Sequence, residues 1–237
     1  MTETKLAAAL IIPAYNEEAV IGQMLDGIPP GVYALIVVAV NGSTDRTAEV
    51  ARAHGAAVVS QAARGYGGAC LQAIGSLPPE IEVVVFMQAD NSELASEAHG
   101  LLAPITSGQA DLVIGSRTLG AAAPGALMAH QKFGNALATM LIRWFWGHRY
   151  SDLGPYRAIS VKKLKQLGMS DRNYGWTVEM QVRAIQRGLR IVEVPVTSGL
   201  RQAGENKVSG NWRASIMAGI KILWVISRLL VSGRSSN

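Results

Sequence analysis

Residues Val83 to Glu93 read VVVFMQADNSE, a β-branched and aromatic run that breaks into an acidic, polar loop. Such a run is a strand buried on both faces, and it delivers Asp90 to its carboxyl end. In an open α/β sheet that edge is where ligands bind. An aspartate there suits a divalent cation, and the cation suits a phosphate. It would equally suit the cap of a following helix. Other polar loops follow other apolar runs. Pro13-Ala14-Tyr15-Asn16-Glu17 follows the strand expected at Leu6 to Ile12, which Pro13 should end. Asn41-Gly42-Ser43-Thr44-Asp45 follows Tyr33 to Val40, and Ser116-Arg117 follows Asp111 to Gly115. The loop Arg64-Gly65-Tyr66-Gly67-Gly68 precedes a helical stretch and reads either as a phosphate cradle or as a tight turn.

The elements needed to position these loops alternate. Helical patterns at Val20 to Ile28, with Asn16 as a plausible N-cap, at Thr47 to His54, Ala69 to Gly75 and Ser96 to Ile105 separate the strands. That alternation predicts a Rossmann-like α/β fold, a mostly parallel sheet with helices on both faces. Beyond Gly120 the pattern changes. Lys132 to Trp146 is apolar and helical, Asp152 to Arg157 is turn-rich, and helices follow at Val161 to Leu167 and Trp176 to Arg187. A strand is expected at Arg190 to Thr197, a basic loop at Leu200 to Gly210 and a last helix at Trp212 to Val231. The expected organisation is an α/β domain over residues 1–210 and a C-terminal amphipathic helix and tail over 211–237.

Composition narrows the classes. Hydrophobic residues make up 49% and charged residues 16%, so the chain is not disordered. A net charge of +5 admits phosphates, nucleic acid or an anionic membrane as partners. The basic residues are dispersed and form no nucleic-acid module, so nucleic acid is set aside. Cys70 is the one cysteine, and no signal-peptide pattern is present, so a cytoplasmic location is expected. The last helix carries Lys221 and Arg228 and is not a membrane span. It either lies in a membrane interface, making the protein peripheral, or packs on the domain or on a second copy.

Taken in order, these loops resemble the family-two glycosyltransferases of the GT-A fold. The second half resembles their dolichyl- and polyprenyl-phosphate branch: Asp152-Leu153-Gly154-Pro155-Tyr156-Arg157, Tyr174-Gly175-Trp176-Thr177-Val178-Glu179, Glu193-Val194-Pro195-Val196 and Gly204-Glu205-Asn206-Lys207. The resemblance covers nearly the whole chain. It implies an inverting hexosyltransferase that moves a sugar from a nucleotide-diphosphate sugar to a lipid phosphate, or to a small-molecule acceptor, with Mg²⁺ or Mn²⁺. It places the donor on Pro13, Ala14, Tyr15, Glu17, Val40, Asn41, Gly65, Gln88, Ala89 and Asp90, and the metal on Asp90 with Gln88. It sets Arg117, Lys132, Arg201 and Lys207 toward acceptor or phosphate. Catalytic roles fall to Asp90, Arg117 and Glu179. For Glu179 two readings stand: a base for a hydroxyl acceptor, or the ion-pair partner of an arginine or lysine.

The sequence departs from the family on the donor side. Val40 stands where an acid is usual, and Gln88 replaces the first aspartate of the Asp-x-Asp triplet, leaving Asp90 as its charged ligand. Glu93 is the nearby acid that would restore that charge, but it is displaced in sequence. Asn206-Lys207 replaces Ser-Lys, and His130-Gln131-Lys132 stands where arginine is more common. These changes imply an atypical donor site. The rival reading is a catalytically impaired relative that binds nucleotide or regulates a partner. The apolar segments Met140 to Trp146 and Ile216 to Leu230 offer a surface for a homo-oligomer.

Overall fold

The computed structural model describes residues 7–126, 128–200 and 212–234. Among these residues seven strands and eight α-helices follow one another as β1 Ala8–Ala14, α1 Ile21–Asp26, β2 Leu35–Asn41, α2 Thr47–Ala53, β3 Ala57–Gln61, α3 Tyr66–Gly75 and β4 Val83–Phe86. A 3₁₀ turn at Ala95–Glu97 leads into α4 Ala98–Thr106. Then come β5 Leu112–Ser116, α5 Ala129–Trp146, β6 Arg157–Ser160, α6 Val161–Leu167, α7 Trp176–Gln186, β7 Ile191–Pro195 and α8 Trp212–Arg234.

The sheet order is β3-β2-β1-β4-β6-β5-β7, and every neighbouring pair is parallel except those made by β6. All strands but β6 therefore run the same way, and the loops after β1, β2, β4 and β5 leave at one edge. Chain order reverses between β1 and β4, so a crevice opens at their carboxyl ends. Every residue of β1 and β4 is buried, because helices cover both sides. Val83 and Val85 point into a cluster with Ile21, Met24, Ala51 and Leu101 from α1, α2 and α4. Val84 and Phe86 point the other way, into a cluster with residues of α3, α5, α6, α7 and α8. In α7 nearly every side chain from Trp176 to Ala184 is buried, because α5 and α8 pack over it.

Three expectations are corrected. Pro13 does not end the first strand, which runs on to Ala14 along β2. The ladder to β4 stops at Ile11–Phe86, so the missing N–H of Pro13 forfeits no bond there. Asn16 does not cap a helix, since α1 begins only at Ile21. The turn-rich segment at 152–157 runs into a strand, β6, that occupies the middle of the sheet. Its buried Arg157 donates to the carbonyls of Leu153 and Gly154 and to that of Thr177 at the start of α7.

Candidate active site

Two loops at the crevice are fastened together by bonds that cross about 30 residues of sequence. Asn16, at φ 50°, donates its N–H to Ser43 Oγ (3.0 Å), and its Oδ1 accepts the Thr44 N–H (2.8 Å). The Glu17 N–H reaches Thr47 Oγ1 (2.8 Å), and the Arg46 N–H reaches Glu18 Oε2 (2.9 Å). A rim ordered in this way loses less freedom when a ligand arrives. Pro13, Ala14, Val40 and Ala89 are buried, so they shape the crevice floor, whereas Tyr15, Asn41, Gln88 and Asp90 are half-buried at its mouth. Val40 packs into the cluster under α1, α2 and α4, so its side chain belongs to the core. The Arg64 guanidinium lies 4.4 Å from the centre of the Tyr15 ring.

The glycine loop is not an open cradle. The Gly65 N–H donates to Asn41 Oδ1 (2.7 Å), which also accepts from Gln61 Nε2 (3.1 Å). A Cβ on Gly65 would collide with the Arg172 carbonyl, and one on Gly67 with the Asp171 carbonyl. The Gly68 N–H donates to the same Arg172 carbonyl (2.9 Å). These glycines let two backbones touch. The Gly65 N–H is thus taken by Asn41, whose side chain ties the β2 loop to the glycine loop.

Asp90 caps no helix either. Its Oδ1 accepts the Ser92 N–H (3.1 Å) and hydroxyl (2.6 Å) in a tight turn, and Asn91 beside it takes φ 57°. Glu93, only 2% exposed, turns back beneath the loop, and its Oε2 accepts the Gln88 N–H (2.8 Å). Burial pushes its pKa up to about 8; the Gln88 bond opposes that shift and the charge of Asp90 adds to it. Glu93 therefore does return a carboxyl to the degraded triplet, beneath the loop and not at its tip.

Arg117 meets this group from β5. Its Nε and Nη2 clasp Asp152 Oδ2 and Oδ1, each at 2.8 Å, and its N–H adds a third bond to Oδ2 (2.9 Å). Burial lowers its pKa, but Asp152 more than restores it, and Glu93 and Asp90 act in the same direction. Asp152 is fully buried. Its loop is held by Glu193, which accepts from the N–H groups of Ser151 (2.9 Å) and Asp152 (3.2 Å), and by Asn135 of α5, which accepts the Leu153 N–H (2.8 Å). The structure thus gathers Gln88, Asp90, Glu93, Arg117 and Asp152. Asp152 and Glu193 stand in segments quoted for the resemblance, but their pairing spans 35 and about 40 residues and no local pattern announces it.

Glu179 stands apart, at the joint of α7 and α8. Its carboxylate accepts from the N–H groups of Ser170 (3.0 Å) and Asp171 (2.7 Å), the Ser170 hydroxyl (2.7 Å), Arg183 Nε (3.0 Å) and Arg228 Nη2 (3.0 Å). Burial raises its pKa, yet these donors together hold it below the ordinary value. With no exposed oxygen, its geometry is that of an ion-pair partner, the second of the two readings. Lys132 is exposed on the first turn of α5. Arg201 and Lys207 lie outside the described residues.

A mostly parallel sheet, covered on both faces and with its polar loops at one carboxyl edge, is the GT-A glycosyltransferase fold. It matches glucosyl-3-phosphoglycerate synthase from Mycobacterium tuberculosis, crystallised with Mn²⁺, UDP-glucose and phosphoglyceric acid, with a TM-score of 0.75 over 96% of this chain and 81% of that one. At 22% identity that likeness concerns fold. The chain belongs to the family Glycosyl transferase family 2, which it matches over residues 9–168. It is 37% identical to an uncharacterized glycosyltransferase of M. tuberculosis over 93% of this chain and 98% of the relative. It is 35% identical to a dolichyl-phosphate hexose transferase of Haloferax volcanii, covering 84% and 86%. An undecaprenyl-phosphate mannosyltransferase of Micrococcus luteus is 30% identical, again covering 84% and 86%.

Proposed function

We propose that this glycosyltransferase moves a hexose from a nucleotide-diphosphate sugar to a polyprenyl phosphate, with inversion. The observation that carries this reading is Asp90, held by Ser92 at the mouth of the β1/β4 crevice with Arg117 in electrostatic reach. The polyprenyl-phosphate acceptor is supported by the named relatives, each similar over more than four-fifths of this chain.

Among the described residues no group of three or more His, Cys, Asp or Glu side chains could hold a metal. The site still fits Mg²⁺ or Mn²⁺ arriving with a diphosphate, because such ions take one or two carboxylates and complete their shell with phosphate and water. Asp90 would be that carboxylate, with Gln88 beside it as a neutral ligand. When bound, the cation supplies charge neutralisation for the departing nucleoside diphosphate. Arg117, clasped by Asp152, is a guanidinium fixed within electrostatic reach of Asp90. The acceptor phosphate is ionised near neutral pH and needs orientation, not a base. Its oxygen bonds to the anomeric carbon as the bond to the diphosphate breaks, and the diphosphate keeps the electron pair. Lys132, Arg201 and Lys207 are assigned to hold the acceptor phosphate. Tyr15, with Arg64 on its ring, is assigned to the base.

A second reading, a nucleotide-binding or regulatory protein without turnover, draws on the neutral Gln88 and the buried Val40. Calorimetry with UDP, GDP, CDP and dTDP, with and without Mn²⁺, separates the two. Tight, metal-dependent binding of one nucleotide, strengthened by Gln88→Asp, followed by transfer to polyprenyl phosphate, is expected. Nucleotide binding without transfer to any phosphate acceptor would establish the second reading.

A further inference from the structure

Helices α5 and α8 leave an apolar face uncovered. Phe133 is 70% exposed, Met140 53% and Trp144 77%, and they recur at helical spacing along one side of α5. On α8, Met217, Ile220, Trp224 and Val231 are between 50% and 70% exposed. The buried sides of both helices, Ala138 and Ile142 on one and Val225, Ile226 and Leu229 on the other, enter the same cluster, and the helices pack together. Their exposed sides therefore turn outward from one side of the molecule. A patch of this kind marks an interaction surface.

Charge decides what covers it. Neither helix contains an aspartate or a glutamate, while α5 carries Lys132 and Arg143 and α8 carries Lys221 and Arg228. Lys221 Nζ and the Arg228 guanidinium lie 4.3 and 5.0 Å from the Trp224 ring, but Asp171 (2.9 Å) and Glu179 (3.0 Å) neutralise them, so the exposed positive charge flanking the face is that of Lys132 and Arg143 on α5. A symmetric pair of copies joined here would bring Lys132 and Arg143 toward their own counterparts with no acid on either helix to answer them. An anionic bilayer answers both features, apolar side chains to the acyl boundary and cations to phosphates. No described helix is long and apolar enough to cross a membrane, so the contact lies in the interface plane.

We infer that the α5–α8 face docks this enzyme on an anionic lipid surface. The position is also useful. Asn135 of α5 holds the loop of Asp152, which holds Arg117, so the docked helix leads from the bilayer to the phosphate side of the site. The inference deepens the lipid-phosphate reading above, yet its test stands apart from that reading.

The experiment is co-sedimentation of the full chain with vesicles of phosphatidylglycerol and phosphatidylcholine, against vesicles of phosphatidylcholine alone. Binding to the mixed vesicles, weakened by salt, is expected. The exposed double variant Phe133→Ser/Trp144→Ser should lose roughly tenfold or more in partition while binding nucleotide like the unchanged protein. Absence of vesicle binding overturns the inference. So does binding that the double variant leaves unchanged. A concentration-dependent dimer that Trp144→Glu separates, with no vesicle binding, assigns the face to a second copy instead. Vesicle binding without sugar transfer to polyprenyl phosphate would refute the acceptor reading and leave the docking face standing.

Discussion

Replacing Glu179 separates an anchor from a catalyst. Its carboxylate takes two backbone N–H groups, one hydroxyl and two guanidinium groups, all within 3.0 Å. Glu179→Ala strands both N–H groups in the interior and leaves Arg183 and Arg228 facing each other. Breaking a buried pair costs about 3–5 kcal/mol. The arginines are 22% and 35% exposed, so water recovers part of their solvation and the lower end, about 3 kcal/mol, applies. For a chain of this size that lowers Tm by on the order of 10 °C. Glu179→Gln keeps one acceptor but turns an NH₂ toward other donors, so an intermediate loss of about 1–3 kcal/mol is expected. Because the folded pKa lies below the ordinary glutamate value, the stabilisation is complete above that value. It is lost as acid takes the pH down through the folded pKa. Urea melts and thermal melts across acid pH measure this, and turnover per folded molecule accompanies them. An anchor predicts that the Gln variant is less stable and retains its rate per folded molecule. A Gln variant with unchanged Tm and a rate down by about 10²-fold or more would refute the anchor and restore the base.

Three further outcomes follow from the geometry. Asp90→Ala should abolish sugar transfer with an unchanged thermal melt, and unchanged transfer would remove Asp90 from the reaction. Gly67→Ala should destabilise by a few kcal/mol, since its Cβ meets the backbone carbonyl of Asp171 and not a movable side chain; a neutral urea midpoint would show that the 171–173 loop yields easily. Glu93 binds its proton more tightly when folded, with a pKa near 8, than in the unfolded chain. The metal-free protein should therefore lose stability as pH rises from about 5 toward 8, and Glu93→Gln should flatten that slope in denaturation measured across the range.

The α/β alternation and the strand ends that carry Tyr15, Asn41, Asp90 and Arg117 were legible in the sequence. Apolar runs ending in polar loops are a local pattern, and strand direction then assigns every such loop to one edge. β6 was hidden: it is four residues long, follows a glycine and a proline, and is held in mid-sheet by neighbours on both sides.

The side chains' partners were not legible either, because they lie far off in the chain. The sequence by itself determined residue chemistry and periodicity: a GT-A-like sheet, one charged residue left in the Asp-x-Asp triplet, and a last helix that mixes apolar residues with cations. Only the tertiary structure decided that the glycines meet residues 171–173 and that Val40 belongs to the core. It also decided that Arg117 is clasped by Asp152, that Glu93 returns beneath Asp90, and that Glu179 joins two helices. Burial and pairing are properties of surfaces brought together by the whole fold, and a carboxylate becomes a ligand, a buried acid or an anchor according to which donors the packing sets against it.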